Sequence, residues 1–249
     1  MSATDNPASP EEVVDVVAAT DGDTTVVDAA VADADLSPGD QGVSNIWSFL
    51  TYWAAHIWVL GYCGVLAGAF TIQFVMGEFP CPLCMLQRYG MLLSTLGALF
   101  IIMQARRGTL TPTRYMQGLG MGAIGALAGA TVSVRQILLH IKPGDPGYGE
   151  PVMGMHLYTW AFITFFVVLL YVGAASMLAP RGIPKTSNEG ASKVISNIVI
   201  IVFLVLLVAN VIAIIFLEGF AFVLPDDPTS YGLIDQIQGR PDKQLLQTV

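Results

Sequence analysis

Five stretches of the chain run almost without charge: roughly 48–76, 85–105, 115–139, 157–179 and 195–217. A helix crossing the hydrocarbon core of a bilayer needs about 20 predominantly apolar residues. Each stretch meets that length, so the pattern predicts five membrane-spanning helices and an all-α integral membrane protein. A large buried helical core in a soluble protein is the alternative, and runs this long and this free of charge argue against it. Short polar segments separate the spans. Beyond residue 218 the chain turns polar and proline-containing, with a short amphipathic helix expected around 230–238.

Small residues mark expected packing faces. Gly64 and Gly68 sit four apart in the first span, and Gly118, Gly122, Gly125 and Gly129 recur in the third, followed by Ser133. Such spacing lets helices approach closely in lipid, where tight packing drives association. Trp47, Trp53 and Trp58 read as interface anchors for the first span, with the alternative for Trp58 that it lies too deep for that role.

Composition strengthens the membrane reading. The chain has 249 residues, 54% hydrophobic and only 12% charged, far more apolar than a soluble domain. The formal net charge is −8, and most of it comes from the beginning of the chain. The first 45 residues hold ten acidic side chains and no Lys or Arg. They lack the basic start and short apolar core of a cleavable signal peptide. They read as a solvated, disordered acidic tail, with a short strand or helix formed on a partner as the alternative. No basic stripe points to nucleic acid.

Lys and Arg in short loops set the expected orientation. Arg106, Arg107 and Arg114 lie between spans two and three, and Arg181, Lys185 and Lys193 between spans four and five; only Lys142 lies in the opposite short loops. That asymmetry predicts a cytoplasmic N-terminus, an external C-terminal tail, and an outward-facing mouth for the second span. In a bacterium that face is the periplasm, which permits disulfides.

The mouth carries the chemistry. "EFPCPLCMLQRYG", residues 78–90, holds Cys81 and Cys84 in a Cys-x-x-Cys unit, with Arg88 four residues further on. Two intervening residues close a small ring, and such a bond is easier to reduce than a relaxed one. Backbone N–H groups at the helix start are expected to point toward the Cys84 sulfur. Arg88 falls on the same helix face as Cys84. Both features favour a thiolate, the attacking form. An arginine beside hydrocarbon is a functional candidate by default. Three other readings stand beside this one: a permanent structural disulfide, half of a zinc site completed by His140 and His156, and an Arg88 that snorkels to headgroups. Cys63, inside the first span, reads as a buried small hydrophobe.

"PCPLCMLQR" resembles the active-site segment of the disulfide bond formation protein B (DsbB) family. The resemblance covers residues 48–180 and implies a four-helix transmembrane bundle at 46–180 in a bacterial inner membrane. Residues 181–217 then add a cytoplasmic loop and a fifth transmembrane helix, and 218–249 a periplasmic tail. It also implies a membrane thiol oxidase. Electrons would pass from a periplasmic thioredoxin-fold dithiol partner, through Cys81 and Cys84, to a membrane quinone (ubiquinone or menaquinone). Cys81 would exchange with thiols, while Cys84 and Arg88 face the quinone. Gln136, and Arg135 by position alone, fall where the family presents polar groups near the quinone; the rival reading of Arg135 is that it reaches water. The family carries a second cysteine pair between spans three and four, and here the loop 140–156 has no cysteine. Three possibilities follow: one pair suffices, a separate protein supplies the other, or the chain is a non-catalytic quinone-binding or assembly subunit.

Overall fold

The computed structural model describes residues 38–185, 190–221 and 227–239. Among them lie five long helices: α1 (Pro38–Thr71), α2 (Pro82–Arg106), α3 (Pro112–Leu139), α4 (Leu157–Leu178) and α5 (Gly190–Glu218), followed by a short helix, α6 (Gly232–Ile237). All five long helices have the length and apolarity to cross a membrane. The protein is therefore an all-α membrane protein with no strand among the described residues, as the run pattern predicts. Helix α1 starts at Pro38, inside the stretch read as tail. Residues 1–37 of that expected tail lie outside the described residues.

Local chemistry fixes the helix starts. Cys81 and Thr111 are N-caps of α2 and α3, and each is followed by a proline at the first helical position. Proline costs nothing there, because its missing N–H would be unpaired anyway. The Thr111 hydroxyl accepts the Arg114 N–H at 3.2 Å. Helix α1 ends in a π-helical turn, Ile72–Met76, stopped by Gly77 in the left-handed region at φ 73°. That turn rotates Gln73 inward, where it is buried.

Helix α2 is the central element. In its most apolar stretch 72% of residues are buried, against 22–39% in the other four spans. It packs against α1, α3 and α5, and α4 packs against α3. The α2–α3 seam is glycine-on-backbone. A Cβ on Gly125 would stand 2.3 Å from the Ser94 nitrogen, and one on Gly97 would stand 2.4 Å from the Gly118 oxygen. The glycines of the third span thus pack as expected. Those of the first span do not, since Gly64 and Gly68 have no neighbour among the described residues within 4 Å of a built Cβ. Trp58 is also a core residue rather than an interface anchor; its indole lies against Gly122 and edge-on to Tyr171. Cys63 sits in the apolar core.

The fifth helix is fastened to α1 by a buried polar ring. His56 Nδ1 lies 2.9 Å from the Tyr52 carbonyl, which only accepts, so this nitrogen carries the hydrogen. His56 Nε2 lies 2.9 Å from the Ser196 oxygen, which is also 2.7 Å from the Tyr52 hydroxyl and donates to the Ser192 carbonyl at 2.9 Å. Buried polar contacts of this kind between helices hold them together in lipid.

Candidate functional site

Cys81 takes extended backbone angles as the N-cap, and its sulfur accepts the Cys84 N–H at 3.2 Å. The helix-start N–H therefore serves Cys81, not Cys84 as the sequence suggested. The reason is positional: a cap side chain reaches the third helical residue, and that residue is Cys84. Both cysteines are free thiols. Cys81 is only 5% exposed, whereas Cys84 is half-buried. The Cys81 thiol is held well above its ordinary range, first by its hydrogen bond with the Cys84 sulfur and then by burial.

The nearest side-chain donor to the two sulfurs is Gln136, fully buried on α3. Its amide nitrogen lies 3.4 Å from the Cys81 sulfur and 3.6 Å from the Cys84 sulfur. Its oxygen accepts the Gln87 amide at 2.8 Å, which fixes which end of the Gln136 amide faces sulfur. Arg135 precedes Gln136 and is exposed. Successive helical residues are turned by about 100°, so the helix that aims Gln136 inward aims Arg135 away. Of the sequence candidates, Cys81, Cys84, Arg88 and Gln136 come together and Arg135 does not.

Arg88 is 7% exposed, so it does not snorkel to headgroups. It donates to the Gln73 oxygen at 2.8 Å and to the Ala69 carbonyl at 3.2 Å, and its guanidinium lies 5.2 Å from the Phe70 ring centroid. The other atom of the Gln73 amide, Nε2, is buried without a partner among the described residues. An unpaired buried donor is costly and calls for a functional reason.

Cys84 and Arg88 share a wall of one cavity of about 390 Å³. Gln87 and Glu78 also line it, and most of the remaining lining is apolar, including Val65, Ile72, Met91 and Ala161. Gly68 borders it with open space where a side chain would stand.

The loop between α3 and α4 closes the mouth. The Tyr148 hydroxyl donates to the Phe79 carbonyl at 2.6 Å, and the Glu150 N–H to Glu78 at 3.3 Å. Burial, and after it the charge of the two sulfurs, pushes the Tyr148 phenol up, so it remains a donor. Tyr158 stacks between His140 and His156, at 5.7 and 5.2 Å. His140 is paired with Asp145 and His156 with the Pro146 carbonyl. The two histidines thus take their partners within the loop. Among the described residues no three His, Cys, Asp or Glu side chains converge on a metal position.

Sequence reasoning missed Gln73, Gln87, Tyr148, Glu78 and Gly68. The signal for the glutamines was present, since an amide inside a long apolar run is as conspicuous as a charge. Nothing in the sequence marked Tyr148 or Glu78.

A family model described as "Disulfide bond formation protein DsbB" matches residues 51–175, half of the chain. The chain belongs to the DsbB family. It is 35% identical over 103 residues to disulfide bond formation protein B of Chromobacterium violaceum, covering 41% of this chain and 56% of the relative's length. It is 41% identical over 139 residues to disulfide bond formation protein B 1 of Pseudomonas fluorescens, covering 43% and 79%. To disulfide bond formation protein B 2 of Burkholderia lata it is 38% identical over 154 residues, covering 48% and 88%. No solved structure matches the chain. The DsbB match includes the cysteine pair, Arg88 and Gln136, and stops before α5.

Proposed function

We propose that this DsbB-family chain oxidises a dithiol carried by a periplasmic thioredoxin-fold protein and delivers the electrons to membrane quinone. One observation carries the reading: the second sulfur of a Cys-x-x-Cys pair and a buried arginine line the same apolar cavity at the end of a membrane helix. The basic loops at 106–114 and 181–193 support a periplasmic position for the pair.

The residues fit a quinone head group. The cavity has the size of a small-molecule site, and its apolar walls suit a lipid-dissolved ring. A quinone carbonyl only accepts hydrogen bonds. Arg88 has five N–H donors, of which Gln73 and Ala69 take two. The Gln73 amide nitrogen is a further unpaired donor. When bound, quinone supplies a sink for the two electrons and two protons released as the Cys81–Cys84 bond re-forms.

The protein's own part is thiol exchange. A partner thiolate attacks the Cys81 sulfur of the disulfide. The new bond joins the partner to Cys81, and Cys84 leaves as a thiolate beside the Gln136 amide. The partner's second thiolate then attacks the mixed disulfide and releases Cys81. The partner has lost two electrons and the pair has gained them. With no cysteine in the loop 140–156, the exchange proposed here engages the Cys81–Cys84 bond directly, and a second pair supplied by a separate protein is the other route.

The test is to mix pre-reduced protein with a soluble quinone and follow the quinone absorbance, alongside Cys81→Ser and Cys84→Ser. The expected result is quinone loss that needs both sulfurs. Quinone loss independent of either sulfur, or none at all, overturns the reading in favour of a non-catalytic membrane subunit.

A further inference from the structure

Phe79 stands two residues before Cys81 and is gripped from two sides. Its carbonyl accepts the Tyr148 hydroxyl from the α3–α4 loop. Its ring meets the Tyr231 ring edge-on, with centroids 5.0 Å apart and planes at 67°. Tyr231 is the N-cap of α6, in a segment that lies beyond the family match of 51–175. That segment is seated in its own right: the Gln236 side-chain oxygen accepts the Phe220 N–H at 2.8 Å, tying α6 to the end of α5.

The two sulfurs consequently have different approaches. Cys84 opens on the cavity. Cys81 does not line it and is 5% exposed, with Pro80 beside it also buried. Phe79, which leads into Cys81 and also lines the cavity, is the residue that Tyr231 holds.

We propose that Tyr231 on Phe79 forms a displaceable cover over Cys81, and that this cover selects which thiol reaches it. A small thiol has no contacts with which to move the Tyr231 ring. A thiol on a protein surface brings apolar contacts of its own to Phe79 and Tyr231, and spends that binding energy on opening the site. The inference rests on the redox reading only in naming a thiol as the incoming group.

The test is labelling of the reduced full-length chain with N-ethylmaleimide, resolved by peptide for Cys63, Cys81 and Cys84, in the wild type, Tyr231→Ala and Tyr231→Leu. Losing one edge-on aromatic contact raises the open population by about three- to tenfold. Cys81 labelling is expected to speed up by that factor in Tyr231→Ala and by less in Tyr231→Leu. Cys84, which already opens on the cavity, changes less than Cys81, and Cys63, in the apolar core, stays unlabelled as the report on folding. An unchanged Cys81 rate, or an equal rise at all three cysteines, overturns the proposal. Labelling needs neither quinone nor turnover, so its outcome is separate from that of the quinone assay.

Discussion

Replacing Gln136 by Met keeps the volume of the side chain and removes its polar atoms. Two consequences follow, and they separate chemistry from stability. The Gln136 amide donates toward both sulfurs, at 3.4 and 3.6 Å. A donor stabilises a thiolate more than a neutral disulfide, because the bond to charge is the stronger one. These contacts are long and share one amide, so a contribution of about 1–2 kcal/mol to the reduced form is reasonable. For a two-electron couple about 1.4 kcal/mol corresponds to 30 mV. The Gln136→Met pair should therefore be harder to reduce, with a potential about 20–40 mV more negative in a glutathione redox titration. The second consequence concerns Gln87, whose amide loses its 2.8 Å acceptor. A buried donor left unpaired costs about 1–3 kcal/mol, whereas removing both partners is close to neutral. Thermal unfolding in detergent should fall for Gln136→Met and recover in the Gln87→Met/Gln136→Met double variant. The potential of the double variant should remain shifted. A potential that stays at the wild-type value, or moves positive, refutes the role given to Gln136. Failure of the double variant to recover refutes the pairing.

Gly68→Leu places a side chain where a Cβ meets nothing within 4 Å, at the edge of the cavity; quinone reduction should fall several-fold while the melting temperature holds, and a full rate would show that the cavity is not the site. Gly125→Ala drives a Cβ to 2.3 Å from the Ser94 backbone nitrogen; overpacking of this kind costs about 1–3 kcal/mol, read as a lower melting temperature. The Asp145 carboxyl is held below its ordinary value of 3.8, first by the Gly147 N–H and then by His140. A depressed carboxyl contributes stability above its unfolded value and loses it as pH falls through the folded one. Hydrogen exchange across 141–149 should accelerate for Asp145→Ala at neutral pH, and for the wild type only below about pH 4; equal exchange in both proteins at neutral pH counts against the Asp145 anchor.

The spans were legible because hydrophobic run length is a one-dimensional signal, and each of the five runs falls within one long helix. The cysteine pair and Arg88 were legible because their spacing along one helix sets their geometry. Gln136 was reached only through resemblance, since its place beside the sulfurs depends on how α3 packs on α2. The same packing disposes of Arg135, which sequence order could not distinguish from its neighbour. The first-span glycines misled because a small-residue spacing says that a close approach is possible, not that a helix is there to make it. Gln73 depends on a π-helical turn, and Tyr148 and Tyr231 on loop contacts at distances of 69 and 152 residues from Phe79. No local pattern encodes such contacts.

The central claim is that the Cys81–Cys84 pair exchanges electrons with a lipid-dissolved acceptor. It is tested most directly by acid-quenched alkylation of the pair in membranes from quinone-replete and quinone-depleted cells, with mass shifts read for each cysteine. The account predicts a disulfide when quinone is present and two alkylated thiols when it is depleted. The same oxidation state under both conditions would contradict it.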